Sequence, residues 1–284
     1  MNKVLACIDG SPRAAAVCDY AAWAARCLEV PLELLHVLER HPERASASDL
    51  SGIIGMDAHD NLLEQLSDLD ARRSKLAQEH GRDILQAAHH RALATGATVL
   101  ETLQRHGPLV ETLLDLQADT RLVVMGQHQS VEPASRWHWG QNAERVVRAL
   151  YRPVLVVAGE YKVPTRVLIA FDGSPTGRKM IETVAGSPLL ARLSCHVVMV
   201  TEETAGARDI AAWAGQTLQN AGFSVEVALR AGEAESVLRQ CMDEFESDLL
   251  VMGAYGHSRI RHLIMGSTTS ALLRTSPVPV FILR

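Results

Sequence analysis

The segment Leu249–Leu273, LLVMGAYGHSRIRHLIMGSTTSALL, reads as a strand, a glycine-spaced loop and the start of a helix. The apolar run Leu249–Met252 suits a buried strand, Gly253, Gly256 and Gly266 punctuate the loop, and Ser267, Thr268 and Thr269 lead the helix. Glycine lets a backbone approach a ligand with no side chain in the way, and the free N–H groups of a helix start favour negative charge. His257, Arg259, Arg261 and His262 add donors around the loop. No Gly-Lys-Ser/Thr follows the glycines, and the close Gly-x-Gly-x-x-Gly run of a dinucleotide site is missing. From spacing alone two readings stand, a phosphate cradle and an ordinary strand-loop-helix connection.

Working outward, the chain repeats itself. Arg166–Phe171 (RVLIAF) runs into Asp172-Gly173-Ser174-Pro175, and Lys3–Ile8 (KVLACI) runs into the same four residues, Asp9-Gly10-Ser11-Pro12, 163 positions earlier. Arg105-His106-Gly107 answers Arg230-Ala231-Gly232, Val123–Gly126 answers Leu250–Gly253, and Pro153–Val157 answers Pro279–Leu283. Two copies of one domain are predicted, 1–158 and 165–284, joined by the short linker 159–164 (GEYKVP). Ser11 suits an N-cap and Pro12 the first helical position, with alanine-rich helical periodicity over Ala14–Leu28 and a second strand over Leu32–Leu38. Apolar strands alternating with helices predict the α/β class: two tandem doubly wound domains, each with a five-stranded, mostly parallel sheet flanked by helices. In such sheets the aspartate turn and the glycine loop both fall at strand ends, where ligands bind.

The pattern Gly253-x2-Gly256-x9-Gly266-Ser267, with the strand that ends in Asp172, resembles the nucleotide-binding signature of the universal stress protein family. The resemblance covers nearly the whole chain, and its motif is complete in the second copy. It implies that Gly253, Gly256, His257, Gly266, Ser267 and Thr268 hold the phosphates of ATP. Asp172 would lie near the ribose and phosphates, accepting from a sugar hydroxyl or helping to hold Mg2+ or Mn2+; its alternative role is to close the strand-to-helix turn. Val200 matches the position whose backbone meets adenine in the family, or is plain core. The resemblance also implies pairing of the last strands, Val154–Ala158 with Val278–Leu283, as an intramolecular pseudo-dimer, with a homodimer beyond it. The function it implies is that of an ATP-binding stress-response regulator or interaction platform. A weak ATP hydrolase and a nucleotide-independent scaffold for a protein partner are the alternatives.

The copies are unequal. From Asp9 to Gly126 is 117 positions and from Asp172 to Gly253 is 81, so the first copy carries 36 more. The surplus falls near 39–76, read as an extended loop and a lengthened helix, or as a lid. The glycine loop of the first copy keeps only Gly126 and Gly140; Gln129 replaces the middle glycine, Glu132 adds negative charge and Gln141 replaces the serine. The first copy is therefore not expected to bind ATP in the family manner. Trp137-His138-Trp139 in the same loop could pack into the vacated space or face a partner.

A net charge of −5 and a pI near 6.2 argue against nucleic acid as a partner, which needs a concentrated positive surface. No apolar run is long enough to span a membrane, and the N-terminus enters a strand directly, so a cytoplasmic protein is expected. Cys7, Cys18, Cys27, Cys195 and Cys241 include no Cys-x-x-Cys pair and read as buried thiols. Nine of the twelve histidines lie in the first copy without zinc-type spacing, and no catalytic constellation is visible.

Overall fold

The structure is a computed structural model and describes residues 2–39, 56–127, 142–254 and 266–284. In chain order the first copy comprises β1 (Lys3–Cys7), α1 (Ala14–Leu28), β2 (Leu32–Leu38), α2 (Met56–Ala94), β3 (Val99–His106), α3 (Leu109–Leu116), β4 (Thr120–Gly126), α4 (Asn142–Ala149) and β5 (Val154–Val157). The second comprises β6 (Arg166–Ala170), α5 (Pro175–Ala185), β7 (Ser194–Val200), α6 (Ala205–Asn220), β8 (Val225–Arg230), α7 (Ala234–Glu244), β9 (Leu249–Gly253), α8 (Ser267–Thr275) and β10 (Val280–Leu283). The strands form one ten-stranded sheet in the order β3-β2-β1-β4-β5-β10-β9-β6-β7-β8. Within each copy every pairing is parallel, and the copies join where β5 and β10 run antiparallel, Leu155 opposite Phe281.

The strands are apolar on both faces because helices cover both. One face packs Val4, Ala6, Leu34, Ile169 and Val197 against α1, α2, α5 and α6; the other packs Leu5, Leu35, Val123, Leu168 and Leu250 against α3, α4, α7 and α8. In each copy the chain winds first over one face and then over the other, so the strand order reverses beside β1 and again beside β6. The carboxyl ends of β1 and β4, and of β6 and β9, thus open a crevice at each reversal.

The sequence reading of the first helix start is corrected. Ser11 does not cap a helix led by Pro12; α1 begins at Ala14 with Arg13 at the N-cap and no side-chain cap. In the second copy Ser174 does cap α5, accepting from the Gly177 N–H at 3.0 Å, with Pro175 at the first helical position. The reason lies three residues beyond the serine. A Cβ on Gly177 would collide with Asp172 Oδ1 and press on the Phe171 ring, and the first copy carries Ala14 there. The alanine keeps α1 from closing onto Asp9 as α5 closes onto Asp172. The lengthened helix expected near 39–76 is α2, which runs for 39 residues; residues 40–55, and with them much of the expected loop, lie outside the described residues.

Asp248 ties the connector between the copies to the second sheet. It is buried, meets Lys162 Nζ at 2.5 Å, and accepts from the Thr165 N–H, the Thr165 hydroxyl and the Arg166 N–H at 3.0, 2.7 and 3.1 Å. Burial opposes its charge, but the ammonium and these three donors outweigh burial and hold the carboxyl down to about 2. A depressed carboxyl stabilises the fold above its unfolded value of about 3.9 and loses that contribution as pH falls toward 2. The unfolding free energy in urea should therefore drop between about pH 4 and pH 2, and Asp248→Asn should lower stability at neutral pH and flatten the slope in that window.

Candidate functional site

The crevice beside β6 and β9 holds a cavity of about 410 Å³. Its described lining includes Asp172 from the turn after β6, Val200 and Thr201 at the end of β7, Gly253 at the end of β9, and Gly266, Ser267 and Thr268 at the start of α8. Six of the eight residues singled out in the sequence thus meet in one place. Gly256 and His257 lie outside the described residues.

Helix α8 presents its first turn without a side-chain cap. Gly266 occupies the N-cap, and its carbonyl accepts from the Ser270 N–H at 3.0 Å. The N–H groups of Ser267, Thr268 and Thr269 precede the first intrahelical donor and point out of the helix end. No acidic residue stands in this turn to compete for them. The result is a donor-rich, electropositive rim facing the cavity.

Val200 contributes through its backbone. Along β7 the N–H groups of Cys195 and Thr201 donate toward β8, to Ser224 O and Arg230 O, both at 2.8 Å. Ser194 N–H and Val198 O bond instead toward β6, with Thr165 O at 3.0 Å and the Phe171 N–H at 2.9 Å. The alternation turns the N–H and C=O of Val200 to the β6 side, where the chain has already left the sheet at Phe171. Neither group has a backbone partner among the described residues, so one donor and one acceptor border the cavity side by side.

Asp172 closes its own turn with one carboxylate oxygen. Its Oδ1 accepts from the Ser174 N–H at 3.0 Å and the Ser174 hydroxyl at 2.7 Å, which closes the strand-to-helix turn. Asp9 repeats this with Ser11 at 3.1 and 2.5 Å, so the turn-closing role is common to both copies. Oδ2 of Asp172 has no hydrogen-bond partner among the described residues and belongs to a residue that lines the cavity. Among the described residues no three His, Cys, Asp or Glu side chains come together as a metal site, so a cation here would lean on Asp172 and on oxygens brought by a ligand.

The crevice of the first copy encloses only about 130 Å³. The Arg13 guanidinium donates to Gln127 O at 2.5 Å, and its Cβ packs over Gly126, the counterpart of Gly253. Glu39 lines the pocket and accepts from the Leu109 N–H at 3.2 Å, which places a carboxylate beside the start of α3. His36 folds down so that Nδ1 lies 2.7 Å from Ile8 O. The replacements Gln129, Glu132 and Gln141 and the Trp137–Trp139 stretch fall outside the described residues. The described part of the crevice is itself smaller than its counterpart in the second copy.

Sequence reasoning missed Gly177, Met199, Ala234 and Leu238, which complete the cavity wall. Gly177 carried a signal, being a glycine in the first turn of a helix where the other copy has alanine. Nothing in the apolar residues separated wall from core. Of the five free thiols expected to be buried, Cys18, Cys195 and Cys241 are, whereas Cys7 and Cys27 are half-buried; burial raises all five, Cys7 and Cys195 to about 12 and Cys18 to about 11. Among the described residues no helix is long and apolar enough to cross a membrane.

With this geometry in hand, comparison with known proteins is informative. The profile described as "Universal stress protein family" matches twice, over residues 1–158 and 164–284. The chain is 36% identical over 287 residues to the universal stress protein Slr1230 of Synechocystis sp., with all of both chains covered. Its fold is similar to that of a universal stress protein from Archaeoglobus fulgidus, with a TM-score of 0.70 at 20% identity over 100% of this chain and 98% of that one. It is also similar to a functionally unknown protein from Pseudomonas aeruginosa PAO1, with a TM-score of 0.63 at 16% identity over 100% and 92%. A profile matched by each half, a full-length relative and a shared doubly wound fold agree: the chain belongs to the universal stress protein family, with two of its domains in tandem.

Proposed function

We propose that the second copy, residues 165–284, binds ATP, and that the nucleotide state of this copy serves a stress-response regulator or interaction platform. The observation that carries the reading is the convergence, on one cavity of about 410 Å³, of the uncapped α8 start with the backbone pair of Val200 and Oδ2 of Asp172, both without a partner among the described residues. The α8 N–H groups and the glycines suit the phosphates, and Asp172 suits the ribose or a divalent cation shared with them. Val200, with N–H beside C=O, suits the ring nitrogen and exocyclic amine of adenine. Gly256 and His257 would close the loop over the phosphates. Mg2+ or Mn2+ would be held by Asp172 together with phosphate oxygens, neutralising their charge. The first copy, whose pocket of about 130 Å³ carries Glu39, does not share this role.

Denaturing the purified protein and titrating it with ATP should yield close to one nucleotide per chain, and Gly256→Glu should abolish binding by placing a carboxylate in the phosphate loop. A stoichiometry near two, or binding unchanged in that variant, would place the nucleotide elsewhere.

Gly177→Ala should weaken ATP binding by about tenfold or more, about 1.4 kcal/mol, because the new Cβ displaces the Asp172 carboxylate while the helix itself tolerates alanine. Calorimetric titration beside a thermal melt separates lost affinity from lost folding. Asp172→Asn should keep the Ser174 turn through its remaining carbonyl oxygen but remove the gain in ATP affinity on adding Mg2+, read by titration with and without the cation.

A further inference from the structure

Helix α2 is 39 residues long, whereas its counterpart α6 has 16. Only its C-terminal part is built into the domain. Gly81, Leu85, Ala88 and Ala92 are buried against α1 and the sheet, and a Cβ on Gly81 would collide with Gln104 and His36. Arg91 grips Asp19 of α1 through Nε and Nη2 at 2.7 and 2.6 Å. Upstream of this anchor the helix leaves the body: every residue from Ser67 to Ala77 is exposed. At 1.5 Å per residue this exposed stretch runs for roughly 16 Å before Gln78 meets Gln104 and His106 of β3.

A helix solvated on all sides does not need an apolar stripe, but this one has one. Leu69 is 51% exposed and Leu76 64% exposed. With positions 62 and 66, also leucine, and 73, an arginine, they follow the 4-3 spacing of a helix-pairing seam. At 100° per residue the seam lies roughly a third of a turn away from the buried line through Gly81, Leu85, Ala88 and Ala92. It is not a continuation of the core face, and at Leu69 and Leu76 it is uncovered.

The charges beside the seam identify what does. Between positions 57 and 70 the helix carries Asp57, Asp60, Glu64, Asp68 and Asp70 and no lysine or arginine; then come Arg72, Arg73 and Lys75. Two such helices laid parallel set carboxylate against carboxylate. Laid antiparallel about a point near Ala71, they bring Asp68 and Asp70 of one copy level with Arg72, Arg73 and Lys75 of the other. The segment is complementary to itself in one orientation, which is the property of a two-fold symmetric contact. The antiparallel arrangement also sends the two bodies to opposite ends, so they do not collide. The strands through which the two copies meet, β5 and β10, are already paired with each other inside the chain and are closed to a second molecule.

We propose that the exposed stretch of α2 around Leu69 and Leu76 is a self-association surface, through which a second copy of this chain docks as an antiparallel helix pair sealed by those two leucines. This does not depend on the nucleotide reading of the second copy. A pair of this length without further contacts gives dissociation constants on the order of micromolar.

Sedimentation velocity of the full chain from about 1 to about 200 μM, at low and high salt, tests it. The wild type should pass from monomer to dimer, with the dimer weakened by salt, and Leu69→Ser with Leu76→Ser should raise the dissociation constant by about tenfold or more. These side chains are exposed, so the thermal melt should be unchanged. Asp68→Lys with Asp70→Lys, and separately Arg72→Glu, Arg73→Glu with Lys75→Glu, should each stay monomeric alone and form a heterodimer when mixed. A wild type that is monomeric throughout, a dimer that survives the leucine substitutions, or charge variants that fail to combine would each overturn the proposal. So would a monomeric wild type that sediments with phosphatidylcholine–phosphatidylglycerol vesicles only while Leu69 and Leu76 are intact, since lipid would then be what covers the stripe.

Discussion

The ladder between β5 and β10 is the constraint from which the rest of the architecture follows. Each copy ends its sheet on a short, wholly buried strand, Val154–Val157 or Val280–Leu283, whose outer edge would otherwise leave backbone donors and acceptors unpaired in an apolar setting. Joining the two edges antiparallel satisfies both at once and turns two five-stranded sheets into one of ten strands, with β3 and β8 as its ends. The helices then form two layers that run across the join. Gln127, at the end of β4, donates to Leu273 O in α8 at 2.8 Å, and Arg284 of the second copy donates to Val147 O in α4 at 2.9 Å. The helix that bounds the proposed phosphate end of the site is thus held from its far side by the first copy.

Within that common frame the two crevices have diverged through few residues. Both keep the Asp-Gly-Ser-Pro turn, and in both the aspartate closes it by the same pair of hydrogen bonds. Around the turn, alanine replaces glycine at 14, and arginine stands at 13 where the other copy has Thr176. The alanine costs the capping bond to the first turn of the helix, and the arginine donates instead to Gln127 O. Duplication has left two crevices of unequal size, about 130 Å³ in the first copy and about 410 Å³ in the second. Part of the surplus sequence of the first copy goes into α2, whose His80 and Ile84 lie beside Gly10 at the edge of the first crevice.

Much of this was legible in the sequence, and the reasons are physical. The repeat of Asp-Gly-Ser-Pro after an apolar strand, 163 positions apart, marks two copies because a strand-to-helix turn of that geometry has narrow chemical requirements. Parallel strands covered on both faces read as continuous apolar runs, so β1, β2, β4, β6 and β9 stand out. Glycines and hydroxyls at strand ends pointed to Gly253, Gly266, Ser267 and Thr268. Less legible were features that depend on distance between remote segments. The Ser11-Pro12 pair has the chemistry of a helix start, yet α1 begins at Ala14, because a methyl group stands where the second copy has only hydrogen.

The sequence by itself determined the fold class, the duplication, the inequality of the two glycine loops and the group of residues at the candidate site. Those properties are local, set by apolar periodicity, turn chemistry and the conformational freedom of glycine, and each can be read within a window of a few residues. The tertiary structure alone decided that the two sheets fuse through β5 and β10, that the N–H and C=O of Val200 find no backbone partner among the described residues, and that Arg13 donates to Gln127. It also decided that Ser67–Ala77 of α2 is exposed, with Leu69 and Leu76 uncovered. Each of these depends on where a strand or helix ends relative to a neighbour distant in the chain, and that is settled by packing and by the pairing of backbone groups rather than by the residues of any one segment.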